Sequence, residues 1–258
     1  MNARSIVRNA DILRIAKAQS AVDCNCSAED FDSARNVVVV SKANADARKY
    51  LELPFFCDLV SYGTNIVASV DERIAGIVEA YINEVSPAES FGTPEIFKLI
   101  EKYAAKGKIL RHYLAEYWLP DVNSLRVLPC DFEVRLLEAG DFADLYKPEW
   151  SNALSPGRPQ LDELAAGAYD GGTLIGLAGY SADCATMRQI GIDVLPGYRQ
   201  RGIAAALTSR LAAEALERGK VPFYCCAWSN LASARNAIRS GFRPAWVELT
   251  AIDKEEGS

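Results

Sequence analysis

The stretch GIDVLPGYRQRGIAAAL, Gly191 to Leu207, constrains the fold more than any other part of the chain. A strand-like run ends at Pro196-Gly197, and a helix of strong formers, GIAAALTSRLAAEALERG, begins within a few residues and ends at Gly219. No acidic residue lies between Asp193 and Glu214, although the formal net charge of the chain is −6. A strand that delivers into a helix in this way leaves backbone N–H groups without partners at the positive end of the helix dipole. Gly202 has no Cβ and Ala204 is nearly as small, so an anion can approach the backbone there. Arg199 and Arg201 supply charged donors. Two arginines suit a pyrophosphate. Small residues that simply open an amphipathic helix beside solvated arginines account for the same letters without a ligand. Other phosphate loops fit worse, because the chain has no GxxxxGK followed by Ser or Thr and no GxGxxG after a strand.

The elements around this stretch alternate. FEVRLLEAGDFADLY reads as a strand running into a helix announced by Asp141, and a loop from Ser151 to Pro159 follows. Strands are then expected in GAYDG, GTLIGLAGYSA and TMRQIGIDVL, with Asp170-Gly171-Gly172 turning the first hairpin. After the helix come the strand VPFYCCAW, the helix NLASARNAIRS closed by Gly241, and a strand pair in RPAWVELTAI. The first half reads as a helix over Ser5–Ala21, a strand over Asn36–Val40, a helix over Ala45–Leu53 and a strand-like FFCDLVSYGTNIVASV. Two helices follow, DERIAGIVEAYINEV and the long TPEIFKLIEKYAAKGKILRHYLAEYWL, with Thr93 as N-cap and Pro94 at its first position. Pro120, Asn123 and Pro129 punctuate the next stretch and divide the chain into residues 1–125 and 126–258.

Composition limits the chemistry. At 258 residues, half of them apolar, the chain can bury one large core or two small ones. A negative balance argues against nucleic acid as a partner, and no apolar run reaches the roughly 18 residues of a membrane span. Seven cysteines, an odd number without a secretory leader, read as reduced thiols of a cytoplasmic protein. Cys24-Asn-Cys26 has no second close pair at zinc spacing beyond the adjacent Cys225 and Cys226, so no metal is expected. His112 is the only histidine, and any Ser-His or Cys-His mechanism would depend on it.

RQRGIA resembles the R/Q-x-x-G-x-G/A loop of the GNAT acyltransferase superfamily. IGIDVLPGYR looks like the family's fourth strand, and SNLASARNAIRSGF like its signature after the fifth strand. The resemblance covers roughly Asp131 to Ile252. It implies an α/β (α+β) fold with a mixed, mostly antiparallel sheet flanked by helices, preceded by an accessory or degenerate GNAT-like half. It implies acetyl-CoA as cosubstrate, with the pyrophosphate held by Arg199, Gln200, Arg201, Gly202, Ile203, Ala204 and Ala205. Backbone groups along Ile192, Asp193 and Val194 would meet the pantetheine arm and the thioester carbonyl, and Asn230 would fix pantetheine from the other side. N-capping of the following helix is an equally ordinary role for Asn230.

The acid and base are less evident. The family's tyrosine, eighth in the signature counted from Asn230, is Ala237 in this chain. Ser233 matches the serine of a variant signature and is the candidate acid. A lysine-like amine of pKa about 10.4 is protonated by about three log units at neutral pH, so a base is needed. Asp193 is the nearest carboxylate, although strand alternation turns it from the face of Ile192 and Val194. Glu149, in YKPEWSNAL, lies where this family builds its acceptor site. The implied reaction is direct attack of a small-molecule or peptide amine on acetyl-CoA, by a monomer or a homodimer. The alternative is a CoA-binding regulatory module that has lost most or all turnover.

Overall fold

The computed structural model describes residues 8–110 and 115–254. Along the chain the elements are α1 (Asn9–Cys24), β1 (Val37–Val40), β2 (Cys57–Ser61), β3 (Val67–Val70), α2 (Ala75–Glu84), α3 (Phe97–Ala104), β4 (Lys108–Leu110) and β5 (Ala115–Pro120). There follow β6 (Glu133–Glu138), β7 (Asp162–Asp170), β8 (Thr173–Ser181), β9 (Met187–Val194), α4 (Ile203–Glu217), β10 (Val221–Ala227), α5 (Leu231–Arg239) and β11 (Phe242–Asp253). The chain forms two compact units that interleave in sequence. One holds residues up to Ile15, Trp118–Cys225 and Asn230–Pro244, and the other Ala16–Tyr117, Cys226–Ser229 and Ala245 onward.

In the first unit β6, β7, β8 and β9 are successive antiparallel neighbours and β10 joins β9 in parallel. Gly171 and Gly172, both at positive φ, close the β7–β8 hairpin where the sequence places it. Helix α4 packs on β7, β8 and β9, burying Ile203, Ala205, Ala206, Leu207, Leu211, Ala212 and Ala215. It ends in a Schellman turn: Gly219 has φ +70, its N–H donates to Leu216 O at 3.0 Å, and the Lys220 N–H donates to Ala215 O at 2.8 Å.

In the second unit β1 and β3 pair in parallel, while β3 with β2, β2 with β11, and β11 with β4 are antiparallel. One face of this sheet is apolar: Cys57, Leu59, Ala68, Val70, Leu249 and Ala251 pack with α2 and α3 through Val78, Ile82, Leu99 and Tyr103. Period-two alternation sends Asp58, Glu248 and Thr250 to the other face. There the buried Arg48 guanidinium bonds the Asp23 carboxylate at 2.6 Å and Thr250 donates to Asp58 at 2.7 Å.

The fold is the mixed, mostly antiparallel α/β class expected, with local differences. The long helix expected from Thr93 is a shorter α3, stopped by Gly107 at φ +71, and the rest is strand, β4 and β5. The Thr93–Pro94 bond is cis and α3 begins only at Phe97, so Thr93 is not its N-cap. Residues 45–53 are turns instead of a helix, because the Arg48 N–H and guanidinium both bond Asp23 and hold the backbone in a tertiary contact. The helix expected at Asp141 is a pair of single 3₁₀ turns, whose cap is the Asp141 carboxylate accepting the Glu138 N–H at 3.0 Å. The terminal strand pair is the one strand β11. His112 lies outside the described residues.

Candidate functional site

The site begins where two parallel strands part. β9 and β10 are in register only over Met187↔Val221, Arg188↔Pro222 and Gln189↔Phe223, yet β9 runs on to Val194 and β10 to Ala227. β9 stays bonded to β8 as far as Val194↔Gly176. The Leu195 N–H donates to Ile175 O at 3.0 Å and continues that register. In an antiparallel ladder this fixes the parity: Gly191, Asp193 and Leu195 turn their backbone groups toward β8. Ile192 and Val194, beyond the last pairing at Gln189↔Phe223, turn theirs into the opening beside β10. A row of backbone donors and acceptors therefore lines one side of a cleft.

At the end of that row lies the arginine-glycine loop. After a 3₁₀ turn at Pro196–Tyr198, Gln200 has φ +65 and Gly202 has φ +81, so two left-handed residues redirect the chain into α4. No atom stands within 4 Å of the place a Cβ on Gly202 would take. The first helical bond of α4 runs from the Ala206 N–H to Gly202 O at 3.1 Å. The amides of Ile203, Ala204 and Ala205 thus belong to the turn that has no intrahelical acceptor. Arg199 donates its Nε–H to Val194 O at 3.1 Å, which joins the loop to the strand end, and the Arg201 guanidinium lies over the Tyr198 ring at 5.2 Å. Tyr198 donates to Asp170 at 3.0 Å, and that bond raises its pKa. Open space, orphan amides and exposed guanidinium edges are what a pyrophosphate requires.

The opposite face of β9 holds a tight turn. Asp193 Oδ2 accepts the Asn152 and Ala153 N–H groups at 2.8 and 3.1 Å, and Oδ1 accepts Asn152 Nδ2 at 2.6 Å. Trp150, Ala153 and Leu154 are buried beneath this turn with Phe142, Ala165 and Leu177. Glu149, the residue before Trp150, is exposed. Asp193 and Glu149 therefore flank one turn: the first carboxylate is engaged by three donors and the second is open to solvent. Asn152 carries no motif and was not read from the sequence.

Helix α5 closes the other side. Asn230 Oδ1 accepts the Ser233 N–H at 3.1 Å and caps the helix. Asn236 donates to Thr208 at 3.1 Å and Ser240 to Ala205 O at 3.4 Å, tying α5 to α4. The Ser233 hydroxyl shares a 3.0 Å hydrogen bond with the phenol of Tyr224, the first residue of β10 past its pairing with β9. Tyr224 is a second residue that sequence reasoning missed; the Phe-Tyr-Cys-Cys run gave only a buried strand. Ala237, one turn beyond Ser233, is fully buried. A separate groove of about 470 Å³ between β6, residues 127–132 and α4 has no lining residue from β9 or β10. No group of three or more His, Cys, Asp or Glu side chains suited to a metal occurs among the described residues. Among them no helix is long and apolar enough to cross a membrane.

Residues 132–242 match the acetyltransferase (GNAT) family. Similar solved structures include a protein of Novosphingobium aromaticivorans assigned to the GNAT family, 22% identical, with a TM-score of 0.44 over 56% of this chain and 66% of that one. A GCN5-related N-acetyltransferase-like protein from Streptococcus suis is 18% identical, with a TM-score of 0.45 over 61% and 68% of the two chains. A GCN5-related N-acetyltransferase from Kribbella flavida is 16% identical, with a TM-score of 0.47 over 97% and 96%. The first of these alignments spans just under two-thirds of the relative's length. No curated protein matches the chain.

Proposed function

With residues 132–242 carrying the acetyltransferase (GNAT) family match as the premise, we propose that this protein is an acetyl-CoA-dependent N-acetyltransferase acting by direct attack of an amine. The observation that carries the reading is the early parting of β9 from β10, with the Gly202 loop at the end of the exposed strand edge. Arg199, Gln200, Arg201 and the amides of Gly202 to Ala205 hold the pyrophosphate, and the inward backbone groups of Ile192 and Val194 hold the pantetheine arm and the carbonyl. Bound acetyl-CoA supplies an activated acyl group on a thiol leaving group. The free backbone N–H groups of β9 stabilise negative charge developing on the carbonyl oxygen, Asn230 fixes the start of α5, and Ser233 gives a proton to the departing sulfur.

Asp193 serves in this reading as a positioning residue that holds the Asn152 turn, and exposed Glu149 is the carboxylate available to an incoming ammonium. The acceptor is a small-molecule or peptide amine. Residues 126–258 hold the CoA site, and residues 1–125 form an accessory half. Seven cysteine thiols suit a reducing compartment and support a cytoplasmic setting.

Two observations favour a second reading, a CoA-binding module with little turnover. Ala237 stands where the family's acid is expected, and the Asp193 carboxylate is already bonded three times. Thiol release from acetyl-CoA with an amine library, run beside calorimetry with acetyl-CoA, separates the two. Binding with turnover supports the enzyme; binding without turnover supports the module.

A further inference from the structure

We propose that Tyr224 is the proton source behind Ser233, so that a buried phenol and a helix-cap serine form a two-hydroxyl relay replacing the acid lost at Ala237. The inference rests on the acetyltransferase reading above.

Four observations meet at this pair. The two hydroxyl oxygens are 3.0 Å apart. Tyr224 is only 3% exposed and its ring packs beside Phe242, so the phenol is held in place. Ser233 is fixed from its backbone side by the Asn230 cap and is half-buried, whereas Tyr224 behind it is buried. Tyr224 is also the first β10 residue beyond the last β9 pairing, at the root of the cleft.

A serine hydroxyl alone is a poor acid, because giving up its proton leaves an alkoxide. A phenol of ordinary pKa about 10 is a far better one. As the carbon–sulfur bond breaks, the electron pair goes to sulfur, sulfur takes the Ser233 proton, and the Ser233 oxygen takes the Tyr224 proton in the same step. The phenolate then regains a proton from the acylated nitrogen through water. The net change moves one proton from the amine to the thiol and needs no further reactant.

The test compares Tyr224→Phe, Ser233→Ala and the double variant, with CoA affinity and melting temperature as controls. The relay predicts about a tenfold fall in kcat for each single variant, unchanged KM for acetyl-CoA, and no further fall in the double variant. Titration of the bound CoA thiol by its thiolate absorbance gives a readout that needs no acceptor. Its pKa should be higher in Tyr224→Phe than in the wild type, because the relay hydrogen bond stabilises the thiolate. A wild-type kcat in Tyr224→Phe, or losses that multiply to about a hundredfold, overturns the relay. Identical thiol titrations in the two proteins overturn it as well. Failure of the wild type to bind CoA removes the acetyltransferase reading itself, and the relay with it.

Discussion

The carbonyl oxygen of Asn152 occupies the space that a Cβ on Gly191 would need. The neighbouring Ala153 carbonyl does the same at Gly179, the cross-strand partner of Gly191. Two facing glycines thus let the turn lie directly on the sheet, and Asp193 holds it there through three hydrogen bonds.

Gly191→Ala should therefore lift the turn off the strand. Forcing a methyl group into packed space costs about 1–3 kcal/mol. Thermal denaturation should show a lower melting temperature, and an acetylation assay should show a raised acceptor KM with CoA affinity nearly intact. Asp193→Asn should act in the same direction on the acceptor side, as a positioning residue would. A selective loss of kcat with KM for the acceptor unchanged would assign Asp193 to the chemistry instead.

Arg199 joins the strand end to the loop through Val194 O. Its truncation to Ala should remove a charge-assisted contact to phosphate, on the order of 1.5–3 kcal/mol. Calorimetry should then read CoA affinity roughly tenfold to a hundredfold weaker.

Ser233→Ala should lower kcat by about tenfold or less, at the lower end of what acid–base assistance contributes, since a thiol of pKa near 8.5 is a good leaving group. Ala237→Tyr should not restore the loss. Ala237 has no exposed surface, so a phenol ring there has no space without displacing the packing of α5. Steady-state kinetics on the single and combined variants check both statements.

The second unit has its own pH signature. Burial pushes the Glu248 carboxyl up, against the pull of the Arg48 guanidinium. Between the unfolded value of about 4.3 and the raised folded value, the folded chain keeps a proton that the unfolded chain has lost, so stability falls as pH rises through that window and then levels. Glu248→Gln removes the penalty and should raise the melting temperature at about pH 7.5, with the gain shrinking toward about pH 4. Arg48→Met should do the opposite at neutral pH, costing about 3–5 kcal/mol by leaving Asp23 buried without its cation.

The strand, loop and helix from β9 to α4, the Asp170-Gly171-Gly172 hairpin and the capped α5 were legible in the sequence. In each case a local signal agrees with the packing: glycines at positive φ, an Asn cap, a run of small helix formers. What was not legible depends on partners distant in sequence. Residues 45–53 have helical letters, but Arg48 bonds Asp23, 25 residues away. Gly107, flanked by lysines and at φ +71, follows the end of α3 at a point where the helical period of the sequence runs on. Tyr224 and Asn152 carry no motif; only β10 and α5 coming together, and the turn closing on β9, make them part of the site.

The central claim is that the Gly202 loop binds the pyrophosphate of acetyl-CoA. Gly202→Asp tests it most directly, because the change adds negative charge and a Cβ in the open space, at a backbone angle of φ +81 that suits glycine. Calorimetric titration of CoA into the wild type and into Gly202→Asp, with circular dichroism to confirm that both are folded, should show binding by the first and none by the second. Equal CoA affinity in a folded Gly202→Asp protein would contradict the account.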